Sequence, residues 1–168
     1  MLNIQSIMLV SIEKWSRKTL IILLLLASQF AFAQSKYIRQ FKPLADSLSK
    51  EYKIPTAVIL GVAIIESGAG TSRNSKLLHN HFGIVGKNDL LKTNGIKSRY
   101  KQFKSAADSY HAFCKLLKKR KYYDKLKGNM NYHLWLDAMS KHGYSEDPEG
   151  WKQKITAAIR KSKLSATF

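Results

Sequence analysis

The chain has 168 residues with a single cysteine, and 29 Lys+Arg against 11 Asp+Glu give it a formal net charge of +18 at pH 7. One cysteine excludes an intrachain disulfide framework, and Cys114, set among apolar residues in "YHAFCKLL", reads as a buried, inert thiol. The basic excess directs the chain toward polyanions without saying anything about its fold.

Lys14, Arg17 and Lys18 precede the apolar run "LIILLLL" from Leu20 to Leu26, and "ASQFAFA" follows, with Ala31 and Ala33 in an A-x-A pattern. This is the layout of a secretory signal over residues 1–33, with Met8 an alternative start. The apolar stretch is about 14 residues, short of the roughly 20 needed to span a bilayer, so no membrane span is expected in the mature form. An uncleaved anchor is the plainer alternative. Export places the protein in the periplasm or outside the cell. The mature segment, 34–168, keeps 26 Lys+Arg against 10 Asp+Glu, a balance of +16. Its size suits one domain with its own core, expected to be a monomer.

Ile38, Phe41, Leu44, Leu48 and Tyr52 recur at spacings of three and four, a helical stripe over 37–52 that Pro43 is expected to kink or restart. Pro55-Thr56 opens a second helix running to about Glu66, and Gly68 and Gly70 end it. Residues 72–80 read as a short helix. From His81 to Phe103 the pattern changes: "FGIVG" and "IKSRYKQF" are β-prone and separated by "KNDLLKTNG", which predicts a small hairpin or irregular lobe with Asn94-Gly95 as a turn. Helices resume at Ser105, whose "SAAD" resembles a capping box, then after Asn131, and again at Asp147-Pro148. Trp151, Ile155, Ala158 and Ile159 form the inward face of the last one. There is no repeat and no low-complexity linker. The expected fold is mainly α, with a small β-hairpin lobe after the second helix.

One stretch joins a buried pattern to an acid. In "AVILGVAIIESGAG" (57–70) the apolar helix ends in Glu66. A carboxyl group in apolar surroundings is disfavoured when charged, so its pKa rises and it can hold a proton for a leaving oxygen near neutral pH. That is the general acid of glycoside cleavage. The adjoining glycines leave the backbone low for a bulky substrate. An ordinary solvated or salt-bridged Glu at a helix end is the plain alternative on these residues alone.

The next residues change the weight. "ESGAGTSRNSKLLHNHFGI" (66–84) resembles the signature of glycoside hydrolase family 73: Glu-Ser-Gly-x-Gly-x-Ser, a short helix, then Asn-x-Phe-Gly-Ile. "YKQFKSAADSYHAFCKLL", "KYYDKL" and "AMSKHGYSEDPEGWKQKI" are similar, in order, to later segments of that family, and the likeness spans roughly Tyr37 to Lys161. The resemblance implies a lysozyme-like fold. It also implies hydrolysis of peptidoglycan glycan strands at the β-1,4 bond from N-acetylglucosamine to N-acetylmuramic acid. By the same resemblance Glu66 is the proton donor and Tyr144 a cleft tyrosine that orients substrate or steadies developing charge. Asn80, His81, Phe82 and Gly83 fall in the implied substrate-binding turn. Core packing is the alternative for Tyr144 and Phe82, and His81 reads better as a hydrogen-bonding wall residue than as a catalyst.

The chain departs from that family at the second carboxylate. Members often carry it in the lobe, but no acid lies between Leu90 and Ala107, and the matching position falls near Ser98. Asp89 is the lobe's one carboxylate, a candidate base or simply a turn residue. Attack by the sugar's own acetamido group is the other route, needing only Glu66 from the protein. Asp147 reads as a helix cap, and Glu146 and Glu149 as surface groups.

Two other classes remain open on the sequence: a wall-binding relative without turnover, and a secreted cationic protein for which "KLLKKRKYYDKLKG" offers phosphate contacts. A lytic transglycosylase would also use a single Glu; "NHFGI" and "GYSEDP" favour the glucosaminidase. The five histidines, His79, His81, His111, His133 and His142, lack metal-ligand spacing, and no phosphate-binding glycine loop occurs. No metal and no cofactor are expected. The expected partners are peptidoglycan and anionic cell-envelope polymers, with no nucleic acid.

Overall fold

The stretch Thr56–Ser67 is apolar around its whole circumference, and such a helix is stable only when other elements enclose it. In the computed structural model, which describes residues 17–164, it does form a helix, and every residue from Ala57 to Ile64 is buried. The chain divides into two units, 1–35 and 36–168. In the first, the described backbone is helical, as the opening part of α1 (Arg17–Tyr52). The expected export segment lies partly outside the described residues, which begin at Arg17. Among those described, no helix is long and apolar enough to cross a membrane.

The second unit holds the core. It contains the end of α1, then α2 (Thr56–Ser67), α3 (Arg73–Leu78), α4 (Leu90–Asn94), α5 (Ala106–Lys118), α6 (Tyr123–Leu126), α7 (Tyr132–Lys141) and α8 (Pro148–Lys161). Around α2 pack Leu48, Tyr110, Phe113, Trp135, Leu136, Ile155 and Ile159, all buried. Its most extensive neighbour is α8, followed by α7. Gly61 permits that approach: a Cβ there would sit 2.6 Å from Ile159 Cγ1 and 3.2 Å from Ile155 Cγ2.

The caps follow the sequence closely. Ser72 accepts from the Ser75 N–H, Ser105 from Asp108, Asn131 from His133 and Asp147 from Gly150. Gly68 ends α2 in the left-handed region, at φ 56°. Gly70 is also left-handed, and a Cβ there would meet the Tyr37 ring at 2.9 Å. Cys114 is buried, and desolvation pushes its thiol up to about 12. The helix α1 runs unbroken through Pro43, contrary to the expected restart.

The hairpin is the main correction. Among the described residues the lobe has one isolated antiparallel bridge, Val85 to Tyr100, and no strand. "LLKTN" folds instead as α4, and Asn94-Gly95 forms its end, with Gly95 as the C-cap. A few backbone bonds still cross between the arms, from Lys101 N–H to the Ile84 carbonyl (2.7 Å), Gly86 N–H to Arg99 (3.0 Å) and Gln102 N–H to Lys87 (3.0 Å), and two asparagine amides add to them. Asn80 Nδ2 donates to the carbonyls of Ile84 and Lys101, both at 2.8 Å, and Asn88 Nδ2 to those of Ser98 (2.9 Å) and Tyr100 (2.8 Å). The two arms are thus held by a few backbone bonds and these side chains together, without a continuous ladder.

Candidate active site

Glu66 lies on the last turn of α2, where the apolar helix reaches the surface. Its side chain is half-buried and lines a cavity of about 560 Å³. Phe82, Gly83, Ile84, Val85, Arg99 and Tyr100 wall it from the lobe, Leu116 and Arg120 from the end of α5, and Gly143 to Glu146 from the loop before α8. Trp151 Nε1–H donates to Glu66 Oε1 at 2.8 Å. Desolvation raises the Glu66 pKa, and the indole bond, which favours the ionised form, opposes part of that rise. The net direction is upward, as its place at the end of an apolar helix leads one to expect. Gly83 keeps the floor open beside the acid: a Cβ there would stand 3.6 Å from Glu66 Oε2.

Tyr144 lines the same cavity. Its ring lies 5.0 Å from that of Trp151, and its hydroxyl is 3.5 Å from the Phe82 carbonyl, the outer limit for a hydrogen bond. Burial and the Glu66 charge push its phenol well above the ordinary range, so it stays a neutral donor. Phe82 is buried and stacks on Phe113 at 4.2 Å. It therefore serves the core and presents an edge to the cavity.

The other candidates lie elsewhere. Asn80 does not line the cavity: its amide holds Ile84 and Lys101, and its Oδ1 accepts from the N–H groups of Phe82 (3.3 Å) and Ile84 (3.1 Å). The structure makes it the pin of the "NHFGI" turn, with no donor left for substrate. His81 is likewise behind the wall. It is buried, its Nδ1 is 2.7 Å from the Tyr37 hydroxyl, and that hydroxyl is 2.8 Å from Tyr110 Oη. Ser67 Oγ donates to the Ala63 carbonyl at 2.6 Å and lies 3.4 Å from the same Tyr37 oxygen. Desolvation lowers the His81 pKa to about 4, with help from the nearby His79, so the ring is neutral at pH 7. Asp89 is exposed and lines a different cavity, of about 840 Å³, with Lys87, Lys92, Lys97, Ser98 and Lys104. The structure therefore brings Glu66, Tyr144, Phe82 and Gly83 together, and leaves Asn80, His81 and Asp89 out.

Four members of the site escaped the sequence reading. Trp151 was legible as a core residue but not as the partner of Glu66, because the direction of an indole N–H leaves no trace in periodicity. Arg99 and Arg120 looked like two cations among many. Glu146, read as a surface group, lines the cavity. Among the described residues no cluster of His, Cys, Asp and Glu is arranged to hold a metal ion.

Comparison with known proteins adds to this geometry. A family model described as mannosyl-glycoprotein endo-β-N-acetylglucosaminidase, the glucosaminidase model, matches residues 42–164. By sequence alone, no curated protein matches the chain. Among solved structures, the catalytic domain of the autolysin Auto from Listeria monocytogenes is similar with a TM-score of 0.66 at 20% identity, covering 80% of this chain and 86% of that one. A C-terminally truncated glycoside hydrolase domain of FlgJ from Salmonella typhimurium gives 0.62 at 20% identity, over 80% of this chain and 99% of the other. A peptidoglycan hydrolase mutant from Sphingomonas sp. A1 gives 0.61 at 20% identity, over 79% and 96%. These likenesses bear out the mainly helical, lysozyme-like architecture.

Proposed function

The chain belongs to the glucosaminidase family of glycoside hydrolases, and from that premise we propose that it hydrolyses peptidoglycan at the β-1,4 bond from N-acetylglucosamine to N-acetylmuramic acid, with Glu66 as general acid. The observation that carries this reading is the Glu66 carboxyl, half-buried at the end of α2, facing a cavity of about 560 Å³ and held by the Trp151 indole. The named structural relatives include peptidoglycan hydrolases, which supports the same substrate.

The chain's residues divide the work in the following way. Phe82, Tyr100 and Tyr144 give the glycan apolar faces and ring edges to rest on. Glu66 keeps its proton until the glycosidic oxygen arrives, then transfers it as the C1–O bond breaks. The indole bond fixes which carboxyl oxygen is occupied, leaving Oε2 beside Gly83 for the leaving group. Tyr144, neutral and loosely held, can turn its hydroxyl oxygen toward the anomeric centre, where positive charge develops. Arg99 and Arg120 bring positive charge to the cavity wall, suited to a substrate bearing carboxylates.

Export to the periplasm or beyond follows from the substrate and from the signal-like residues 1–33. The balance of +16 in residues 34–168 then serves to concentrate the protein on anionic envelope polymers, and sacculus binding is expected to weaken steeply with added salt.

The test is to incubate the purified protein and its Glu66→Gln variant with sacculi and identify new ends by mass spectrometry. Reducing N-acetylglucosamine ends from the wild type alone are the expected result. Anhydro-muramic ends would make it a transglycosylase, and sacculus binding without new ends would make it a wall-binding relative.

A further inference from the structure

The glucosaminidase reading leaves one group unassigned: the carboxylate that works opposite Glu66. The lobe does not provide it here. Asp89 and Ser98, the two lobe positions that the sequence offers, both line the lysine-rich cavity and not the one containing Glu66. Within the Glu66 cavity a single other carboxylate is present among the lining residues, Glu146.

Its setting differs from that of Glu66 in the way an acid–base pair requires. Glu66 is half-buried at the end of a core helix. Glu146 is exposed to water, and no hydrogen bond or ion pair with a described residue occupies its carboxylate. The backbone beneath it is nevertheless fixed on both sides. The Tyr144 N–H donates to the Met139 carbonyl at 3.2 Å, at the end of α7. The Asp147 N–H donates to Ser145 Oγ at 3.2 Å, and the Asp147 carboxylate caps α8 through the Gly150 N–H at 3.0 Å. Glu146 is thus carried on a short, anchored bridge at the cavity wall. Arg99 and Arg120 line the same space, and their positive charges accommodate a carboxylate there.

We propose that Glu146 is the second catalytic carboxylate, acting as the general base that activates the attacking water. The inference rests on the glucosaminidase reading. A water held by Glu146 attacks the anomeric carbon of the N-acetylglucosamine unit, forming a new C1–O bond on the face opposite the leaving group. The bond from C1 to the N-acetylmuramic acid oxygen breaks, and that oxygen takes the proton of Glu66. The water's proton goes to Glu146, and exchange with solvent returns both groups to their starting forms. The product is an inverted, α-configured reducing end.

The experiment uses the full chain with sacculi as substrate, comparing wild type, Glu146→Gln and Glu146→Ala, with and without sodium azide. Since Glu146 is exposed and unpaired, both variants are expected to melt with the wild type. Turnover is expected to fall about 100-fold or more in Glu146→Gln, with sacculus binding unchanged. Azide, which attacks without needing a base, is expected to restore Glu146→Ala and to leave α-glycosyl azide ends detectable by mass spectrometry and NMR. Turnover of Glu146→Gln within threefold of wild type overturns the proposal while leaving the glucosaminidase intact. So does a loss that azide does not restore, which would reduce Glu146 to a binding role. A wild type that releases no new ends defeats the glucosaminidase reading itself, and the proposal with it.

Discussion

Glu66 and Ser67 are neighbours on the last turn of α2, yet they face two different worlds. Ser67 turns inward to Tyr37, which also contacts His81 and Tyr110, and among the described residues no buried side-chain polar atom lacks a partner. Glu66 turns outward, with the Trp151 indole on one oxygen and the other left to the cavity. The inward side is closed chemistry, where hydrogen bonds are spent on one another. The outward side leaves one carboxyl oxygen open to the cavity. The lesson is that one helix end can close its polar groups on one side while leaving a carboxyl oxygen open on the other.

The sharpest break in this symmetry is Glu66→Gln. Turnover should fall about a thousandfold, measured as new reducing ends, while the fold is retained. Stability should move the other way. The folded protein favours protonated Glu66, so its contribution is full at low pH and is lost as pH rises through the elevated pKa. Glu66→Gln should therefore melt higher than wild type at pH 7, with the gap closing below about pH 4.5, the ordinary carboxyl value.

His81 on the inward side carries the opposite sign. Its folded pKa is pushed down to about 4 from 6.5, so the unfolded chain binds the proton first. Stability is full above about pH 6.5 and declines toward pH 4, by up to about 3 kcal/mol. Urea unfolding at pH 7, 5.5 and 4.5 reads the slope, and His81→Gln should flatten it.

Tyr37→Phe removes the oxygen at the centre of the inward network. It should cost about 1–3 kcal/mol, since His81 and Tyr110 lose a partner while buried, with turnover changing less than threefold. Trp151→Phe gives the smallest and most diagnostic effect. Without the indole bond the Glu66 pKa rises further, so the alkaline limb of kcat/KM should shift to higher pH.

How far the sequence carried differs between these sides. The buried helix, the acid at its end, the glycine exit and three side-chain caps, at Ser105, Asn131 and Asp147, were all legible, because each depends on residues within a few positions of one another. Asn80 and Asn88 were not. Their amides brace a pairing reduced to one bridge by reaching across 21 and 12 residues to Lys101 and Tyr100, and a β-prone pattern cannot reveal how little of the ladder forms. Arg99, Arg120 and Glu146 share a cavity only once α2, α5 and α8 are packed, and before that they resemble any charged surface residues. Pro43 misled for a different reason: its local cost to a helix is real, but α1 carries through it with Leu48 and Tyr52 buried in the core.

Gly61 has a reach beyond its size. It lets α8 lie against α2 through Ile155 and Ile159, and the same face of α8 carries Trp151 to Glu66. A larger residue there would pry the two helices apart, at about 1–3 kcal/mol for Gly61→Val, and loosen the acid's anchor without altering any group in the cavity. In genetic terms this makes Gly61 the natural seat of a conditional allele, one whose lytic strength is set by growth temperature.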